Sequence, residues 1–271
     1  MIFKEKTLMA VSRLSDIFLY KKQIPILYYH RVNNNPSNID GSPSVDFFHK
    51  QIKFLYQRGY YFASLKELIK WCKGLIELPK NSIAITFDDG YEDNYTNVFP
   101  ILKKYSAKAT IFLIYNYIGQ TRYFSYNRSV PQKILPEDYK PSTDLKHKYL
   151  NVNQITEMHK SSLIDFGSHT LSHGSLTYCD IEIAEREITE SKEALEDLLN
   201  IPIETFCYPY GHYNNTIKKI TKKAGYLGAF TTRKRKVRKE EDCFAMPRWN
   251  DINLLINLPP VLRKIHKLIN I

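Results

Sequence analysis

No stretch of this 271-residue chain approaches the roughly 18–20 consecutive apolar residues that a membrane-spanning helix needs. At the N-terminus, Lys4, Lys6, Arg13 and Asp16 interrupt the apolar run that a secretory signal would require, so no such signal is expected. Cysteine is scarce and scattered. Cys72, Cys179, Cys207 and Cys243 form no CxxC pair, which argues against a zinc ribbon or a disulfide framework and fits a reducing compartment. A cytoplasmic protein, or one peripheral on the inner membrane face, is therefore expected. No internal repeat, low-complexity tract or Gly/Ser linker marks a boundary, and the length suits one barrel-sized domain with decorations. Acidic residues are the minority, 28 against 39 Lys and Arg. The resulting +11 favours anionic partners such as nucleic acid, acidic lipid headgroups or phosphate-bearing glycolipids. The same excess would also serve as a plain solubilising surface, and no nucleic-acid-binding module accompanies it.

What is present alternates. Apolar, β-branched or aromatic runs bounded by turns fall at 24–30, 60–63, 82–87, 110–114, 163–168, 204–208, 226–231 and 244–249, and these are the expected strands. Helical patterns lie between them. Ser64 and Glu67 form a capping-box pattern opening a helix at 65–73, and Asn151 and Gln154 can do the same for one ending near Lys160. Ile181, Ala184, Ile188, Leu195 and Leu199 make the apolar stripe of a helix over 181–199, with Pro202 just past its end. Gly225 is expected to stop a helix over 216–224. A helix over 92–105 must kink at Pro100. About eight such units predict an α/β fold, a distorted (β/α) barrel of seven or eight strands, with chemistry at the C-terminal strand ends. The irregular stretch 119–148 is either a substrate loop or surface decoration.

Three segments carry chemistry. The apolar run 82–87 ends in Asp88-Asp89-Gly90, and buried carboxylates at a strand end need a cation or a proton to hold them. An Asp-Gly turn alone is the plainer reading. The run 163–168 leads into His169-Thr-Leu-Ser-His173, two imidazoles four positions apart; on a helical turn they would share a face, a common zinc arrangement. One carboxylate and two neutral imidazoles leave positions open for water and substrate, as in a catalytic zinc site, although the same set suits an oxygen-using ferrous centre. The neighbouring Asp88 favours hydrolysis, because a base beside an activated water is what a hydrolase needs. Third, Tyr208-Pro-Tyr-Gly211 follows another strand and forces a turn that can aim a backbone N–H at a developing oxyanion, with Tyr208 and Tyr210 as sugar-facing rings.

Together TFDDG (86–90), HTLSH (169–173) and YPYG (208–211), in this order, resemble the polysaccharide deacetylase family with its NodB homology domain, carbohydrate esterase family four. YYHRV (28–32), PILKKY (100–105) and ATIFL (109–113) extend the resemblance over most of the chain. It implies a metal-dependent N-deacetylase of N-acetylhexosamine residues, with Asp89, His169 and His173 holding one divalent ion, usually zinc. It also implies Asp88 as base toward a metal-bound water, and Tyr210 as oxyanion donor beside Pro209. The domain so outlined runs 24–250, between an N-terminal extension, 1–23, and a C-terminal amphipathic helix, 251–271.

The chain departs from the family pattern in three places. Cys207 stands where many members carry an Arg, so the partner of the base must come from elsewhere, and Arg248, at the end of the last strand run, is the candidate. The family's late Leu-x-His has no good counterpart, since His266 sits in a basic tail. His30 resembles the strand-end histidine of the exopolysaccharide-modifying branch and is a candidate substrate contact or proton donor; an ordinary hydrogen-bonded histidine is the alternative. The basic run 233–239 reads as a solvated loop. Leu262, Ile265 and Ile269 with the tail lysines could pack on the barrel or lie on an acidic membrane surface. The competing function is a catalytically impaired glycan- or lipid-binding module on the same fold. The acceptor glycan is left open among a surface exopolysaccharide, peptidoglycan and a lipid-linked N-acetylhexosamine.

Overall fold

A computed structural model describes residues 22–34, 42–123 and 146–250. The expected N-terminal extension but for its last two residues, the tail after 250 with His266, and most of the 119–148 insert lie outside the described residues. Twelve strands are present among those described: β1 (Gln23–Ile24), β2 (Ile26–Tyr29), β3 (Tyr61–Phe62), β4 (Ser82–Phe87), β5 (Ala109–Leu113), β6 (Thr121–Tyr123), β7 (Lys146–Lys148), β8 (Ile164–Ser168), β9 (Thr205–Cys207), β10 (Gly228–Phe230), β11 (Val237–Arg238) and β12 (Trp249–Asn250). The helices are α1 (Val45–Gln57), α2 (Leu65–Cys72), α3 (Phe99–Lys104), α4 (Val152–Lys160), α5 (Ile181–Leu199) and α6 (Asn215–Lys223).

The main sheet runs β10-β9-β8-β5-β4-β2-β12, with β3 paired to the start of β4. Every pairing in it is parallel. The expected last strand, 244–249, is divided between two neighbours. Met246 bridges Phe230, while Trp249 pairs with Leu27. The segment thus spans the gap from β10 to β2 and closes the curled sheet into the distorted barrel. Alternate strand residues serve two cores, as a period of two requires. Leu27, Ile85, Ile111, Phe206 and Ala229 pack with α1 and α3 to α6, whereas Ile26, Ala84, Phe112, Cys207 and Phe230 pack with the apolar face of α2.

Local chemistry explains the helix boundaries. Both capping boxes form, Ser64 with Glu67 and Asn151 with Gln154. The pattern over 92–105 becomes a π-helical turn, Asn94–Val98, followed by α3, which carries Pro100 in its first turn, where a missing N–H costs nothing. Helix α5 ends at Asn200, in the left-handed conformation two residues before Pro202. Helix α1, absent from the sequence expectations, is capped by Ser44, whose Oγ accepts the Phe47 N–H, and it buries Phe48, Gln51, Ile52 and Leu55. Strands β6 and β7 pair antiparallel at the neck of the 119–148 insert. Among the described residues no helix is long and apolar enough to cross a membrane.

Candidate active site

Strand β4 delivers two acids to the barrel mouth. Its six residues are all buried, and Asp88 and Asp89 remain buried beyond its end. Asp89 turns out of the strand with φ 72° and Gly90 follows with φ 72°, so the Asp-Gly turn is real. It sends the two carboxylates different ways. A Cβ on Gly90 would lie 2.8 Å from Leu113 Cδ2, a second reason for glycine there.

The Asp88 carboxylate faces Arg248. Nη1 and Nη2 of the guanidinium donate to Oδ1 and Oδ2, each at 2.7 Å. Nη1 also donates to Thr86 Oγ1 at 3.1 Å, Nη2 to Cys207 Sγ at 3.0 Å, and Nε to the Thr231 carbonyl at 3.1 Å. A guanidinium has five N–H groups, and here five contacts use them. The cation is fully buried between the rings of Tyr28 and Phe112. Burial by itself would raise the Asp88 carboxyl, but the charge and hydrogen bonds of Arg248 outweigh it and hold the group well below the usual carboxylate range. The Cys207 thiol is pushed up by burial and stays protonated. At 207 the small Cys side chain leaves room for a guanidinium arriving from the closing strand.

Asp89 meets the two histidines. Its Oδ1 lies 3.5 Å from His169 Nε2 and 3.4 Å from His173 Nε2. His169 Nδ1 must donate to the Cys207 carbonyl, 2.7 Å away, because a carbonyl only accepts, so Nε2 presents a lone pair to the centre. Burial lowers the His173 pKa to about 4, so that ring is neutral at pH 7. The expected helical turn is not there. Residues 169–173 form a loop in which Thr170 and His173 take positive φ, 71° and 64°, and the His173 N–H donates to Thr170 Oγ1. Glu187 on α5 holds this loop by accepting the Ser172 N–H and hydroxyl. No sequence signal pointed to Glu187.

A divalent cation fits this set. Asp89 Oδ1 is buried without a hydrogen-bond partner, and an orphaned carboxylate oxygen is costly unless a cation meets it. A tetrahedral ion at ~2.0–2.1 Å from each ligand separates neighbouring ligands by about 3.3–3.4 Å, close to the two distances found. Asp88, His169 and Cys207 also lie within 4.8 Å of one another. The Arg248 guanidinium bonds to both Asp88 and Cys207, so that second group is not a cation position.

The turn at Pro209–Gly211 closes the mouth beside His173. Tyr210 has φ 60°, and its ring meets the His173 ring at 4.9 Å. Gly211 is required by φ 73° and by Thr232 N, 2.6 Å from a would-be Cβ. One expectation needs correction. Tyr208 does not line a sugar pocket: it is fully buried, stacks on Tyr213 and donates to the Phe244 carbonyl. Pro209 is buried and shapes the turn that carries Tyr210. His30 is exposed just past β2, and Asn94 Nδ2 donates to its carbonyl. Asp89, Thr170, His173 and Tyr210 are four of the eight non-glycine residues with positive φ among those described. Strain of this kind gathers where a site must be held in one geometry.

Residues 76–229 match the model of the polysaccharide deacetylase family. The chain is 32% identical to a poly-beta-1,6-N-acetyl-D-glucosamine N-deacetylase of Staphylococcus epidermidis, over 82% of this chain and 76% of that one. Among solved structures, the deacetylase PplD of Streptococcus pyogenes, in complex with acetate, superposes with a TM-score of 0.72 at 25% identity, covering 89% of this chain and all of that one. IcaB of Ammonifex degensii shares the fold, with a TM-score of 0.69 at 24% identity over 86% of this chain and 93% of its own.

Proposed function

The chain belongs to the polysaccharide deacetylase family and is a hydrolase, and from that premise we propose that its site removes N-acetyl groups from N-acetylhexosamine residues of a surface polysaccharide or lipid-linked glycan. Asp89, His169 and His173 would hold one divalent ion, zinc by the chemistry of the donors. The observation that carries this reading is the buried, unpartnered Asp89 Oδ1 converging with two imidazole nitrogens, one residue from a carboxylate that Arg248 keeps ionised.

The ion, when bound, supplies a Lewis acid that polarises the acetyl carbonyl and makes a water acidic enough to lose a proton near neutral pH. An Asp88 carboxylate oxygen takes that proton as the water oxygen attacks the carbonyl carbon. Because the pairing holds Asp88 far below its ordinary pKa, it is a weak base but one that is always ionised and fixed in direction. The Tyr210 N–H, on a turn whose internal bonds use the Gly211 and His212 N–H groups, is the donor assigned to the carbonyl oxygen. The C–N bond then breaks, the amine takes a proton, and acetate leaves. His30, exposed beside the mouth, is the residue assigned to give that proton. Domain limits of 24–250 for this activity, and contact with an acidic membrane surface, belong to the same proposal.

Metal content and acetate release test it together. Purified protein should hold about one zinc per chain. It should release acetate from at least one of β-1,6- or β-1,4-linked N-acetylglucosamine oligomers, peptidoglycan or a lipid-linked N-acetylhexosamine. Full metal occupancy in all of Asp89→Ala, His169→Ala and His173→Ala would refute the ligand set.

A further inference from the structure

Two serines stand where the folding pattern calls for apolar side chains. Ser168 ends β8 on the strand face that Ile164 and Phe166 turn toward the helices, by the period of two. Ser191 interrupts the buried stripe of Ala184, Ile188 and Leu195 on α5. Both serines are fully buried, and a buried hydroxyl is costly unless it is bonded.

The two hydroxyls meet, Oγ to Oγ, at 2.8 Å. Ser168 Oγ also accepts the Thr170 N–H at 3.2 Å, and Ser191 Oγ donates to the Ile188 carbonyl at 3.0 Å. Ser191 has one hydroxyl proton and the carbonyl only accepts, so Ser168 is the donor between the two oxygens. The result is a one-way chain from the Thr170 N–H, through both hydroxyls, to the backbone of α5.

Thr170 is where such a chain matters. It lies between His169 and His173, is fully buried, and holds φ 71°, a conformation that a β-branched residue adopts only under constraint. Its Oγ1 accepts the His173 N–H, so the left-handed turn and the second imidazole are placed together. Ser191 follows Glu187, which holds Ser172, by four residues on α5. One helix face therefore grips the loop at two points.

We propose that Ser168 and Ser191 are positioning residues for the metal-binding loop, holding Thr170 in its left-handed turn so that His169 and His173 converge on Asp89 before any ion arrives. The inference rests on the ligand set proposed above.

Two measurements on the full chain test it: chelator competition for zinc, and amide exchange at Thr170 in metal-free protein. Ser168→Ala and Ser191→Ala should each weaken zinc affinity by about 10- to 100-fold with all three ligands in place. In both, the Thr170 amide should exchange faster than in wild type. Ser191→Cys separates packing from hydrogen bonding, because it fills the volume with a weak donor, and its affinity should stay reduced. It also carries the comparison if an alanine variant does not fold. Thr221→Ala removes another fully buried hydroxyl, one bonded to the Ile217 carbonyl on α6, and should leave zinc affinity unchanged. Wild-type affinity in both alanine variants, or in Ser191→Cys, would overturn the proposal. If wild-type protein binds no zinc, the ligand set fails, and exchange at Thr170 still decides whether the serines hold the turn.

Discussion

Replacing Arg248 by Met isolates what the buried cation does. Met fills similar space between Tyr28 and Phe112 but leaves the Asp88 carboxylate without either of its 2.7 Å partners. Removing one member of a buried ion pair costs ~3–5 kcal/mol, a large share of a total stability of ~5–15 kcal/mol. The cost must depend on pH. In the wild type the Asp88 pKa is depressed, so its contribution to stability is present above the unfolded carboxylate value near ~3.9 and is lost only in strong acid. In the variant burial acts without the guanidinium and raises the group. Its contribution is then fullest below that unfolded value and falls as pH rises through the new pKa. The stability gap between wild type and variant should therefore widen from pH 4.5 to pH 7.5, by ~1.4 kcal/mol for each unit the pKa rises above about 4.5. Denaturant titration of the metal-free proteins at the two pH values measures it, and other titrating groups cancel in the difference. In the metal-loaded enzyme the acid limb of kcat/KM should move upward in the same direction. A gap equal at both pH values, with an unmoved acid limb, would refute the reasoning.

Asp88→Asn should retain the metal and lose ~10²–10⁴-fold in turnover, since it removes the proton acceptor and leaves the other groups; wild-type rates would move the base elsewhere. His173, depressed to about 4, contributes stability that is complete above its unfolded value near ~6.5 and is lost as pH falls toward 4. Metal-free protein should thus weaken by up to ~3 kcal/mol across that window, and His173→Asn should flatten the slope in denaturant titrations. Glu187→Ala frees the Ser172 loop and should weaken metal affinity by ~10-fold or more with all three ligands intact. Competition with a chelator reads this directly, and unchanged affinity would remove Glu187 from the site.

The fold was legible where local chemistry and periodicity agreed. Helix α5 and strand β4 fall on the expected residues, because one has a long apolar stripe and the other a dense apolar run ended by Asp-Asp-Gly. Helix α1 was not among the expected elements, although Ser44 caps it and Phe48, Ile52 and Leu55 recur at helical spacing. The division of 244–249 between β10 and β2 is a property of barrel closure, which no window of sequence contains. The helical turn expected for 169–173 failed for a different reason. A four-residue spacing brings two side chains together on a helix, but Thr170 and His173 reach the same result through left-handed backbone, at a cost that only surrounding contacts offset.

Within the site, Asp88 and Arg248 illustrate how far a departure from a pattern can be reasoned. The sequence could show that Cys207 leaves the base without its usual cation and that Arg248 ends a strand run near the same mouth. It could not show why a cysteine serves there. The Cys207 side chain contributes two things at once, a small volume and a sulfur that accepts the fifth guanidinium N–H, while its main-chain carbonyl, which any residue would supply, receives the His169 Nδ1–H. Serine would match the volume, yet its hydroxyl also seeks an acceptor, and in this enclosed space it would compete for the groups that Arg248 already uses. Larger apolar residues would displace the guanidinium and strand Asp88. The residue at 207 and the one at 248 are therefore constrained as a pair. Arginine at 207 with Arg248 retained would bury two cations against one carboxylate, and only the double replacement, Arg at 207 with an apolar residue at 248, could keep Asp88 ionised.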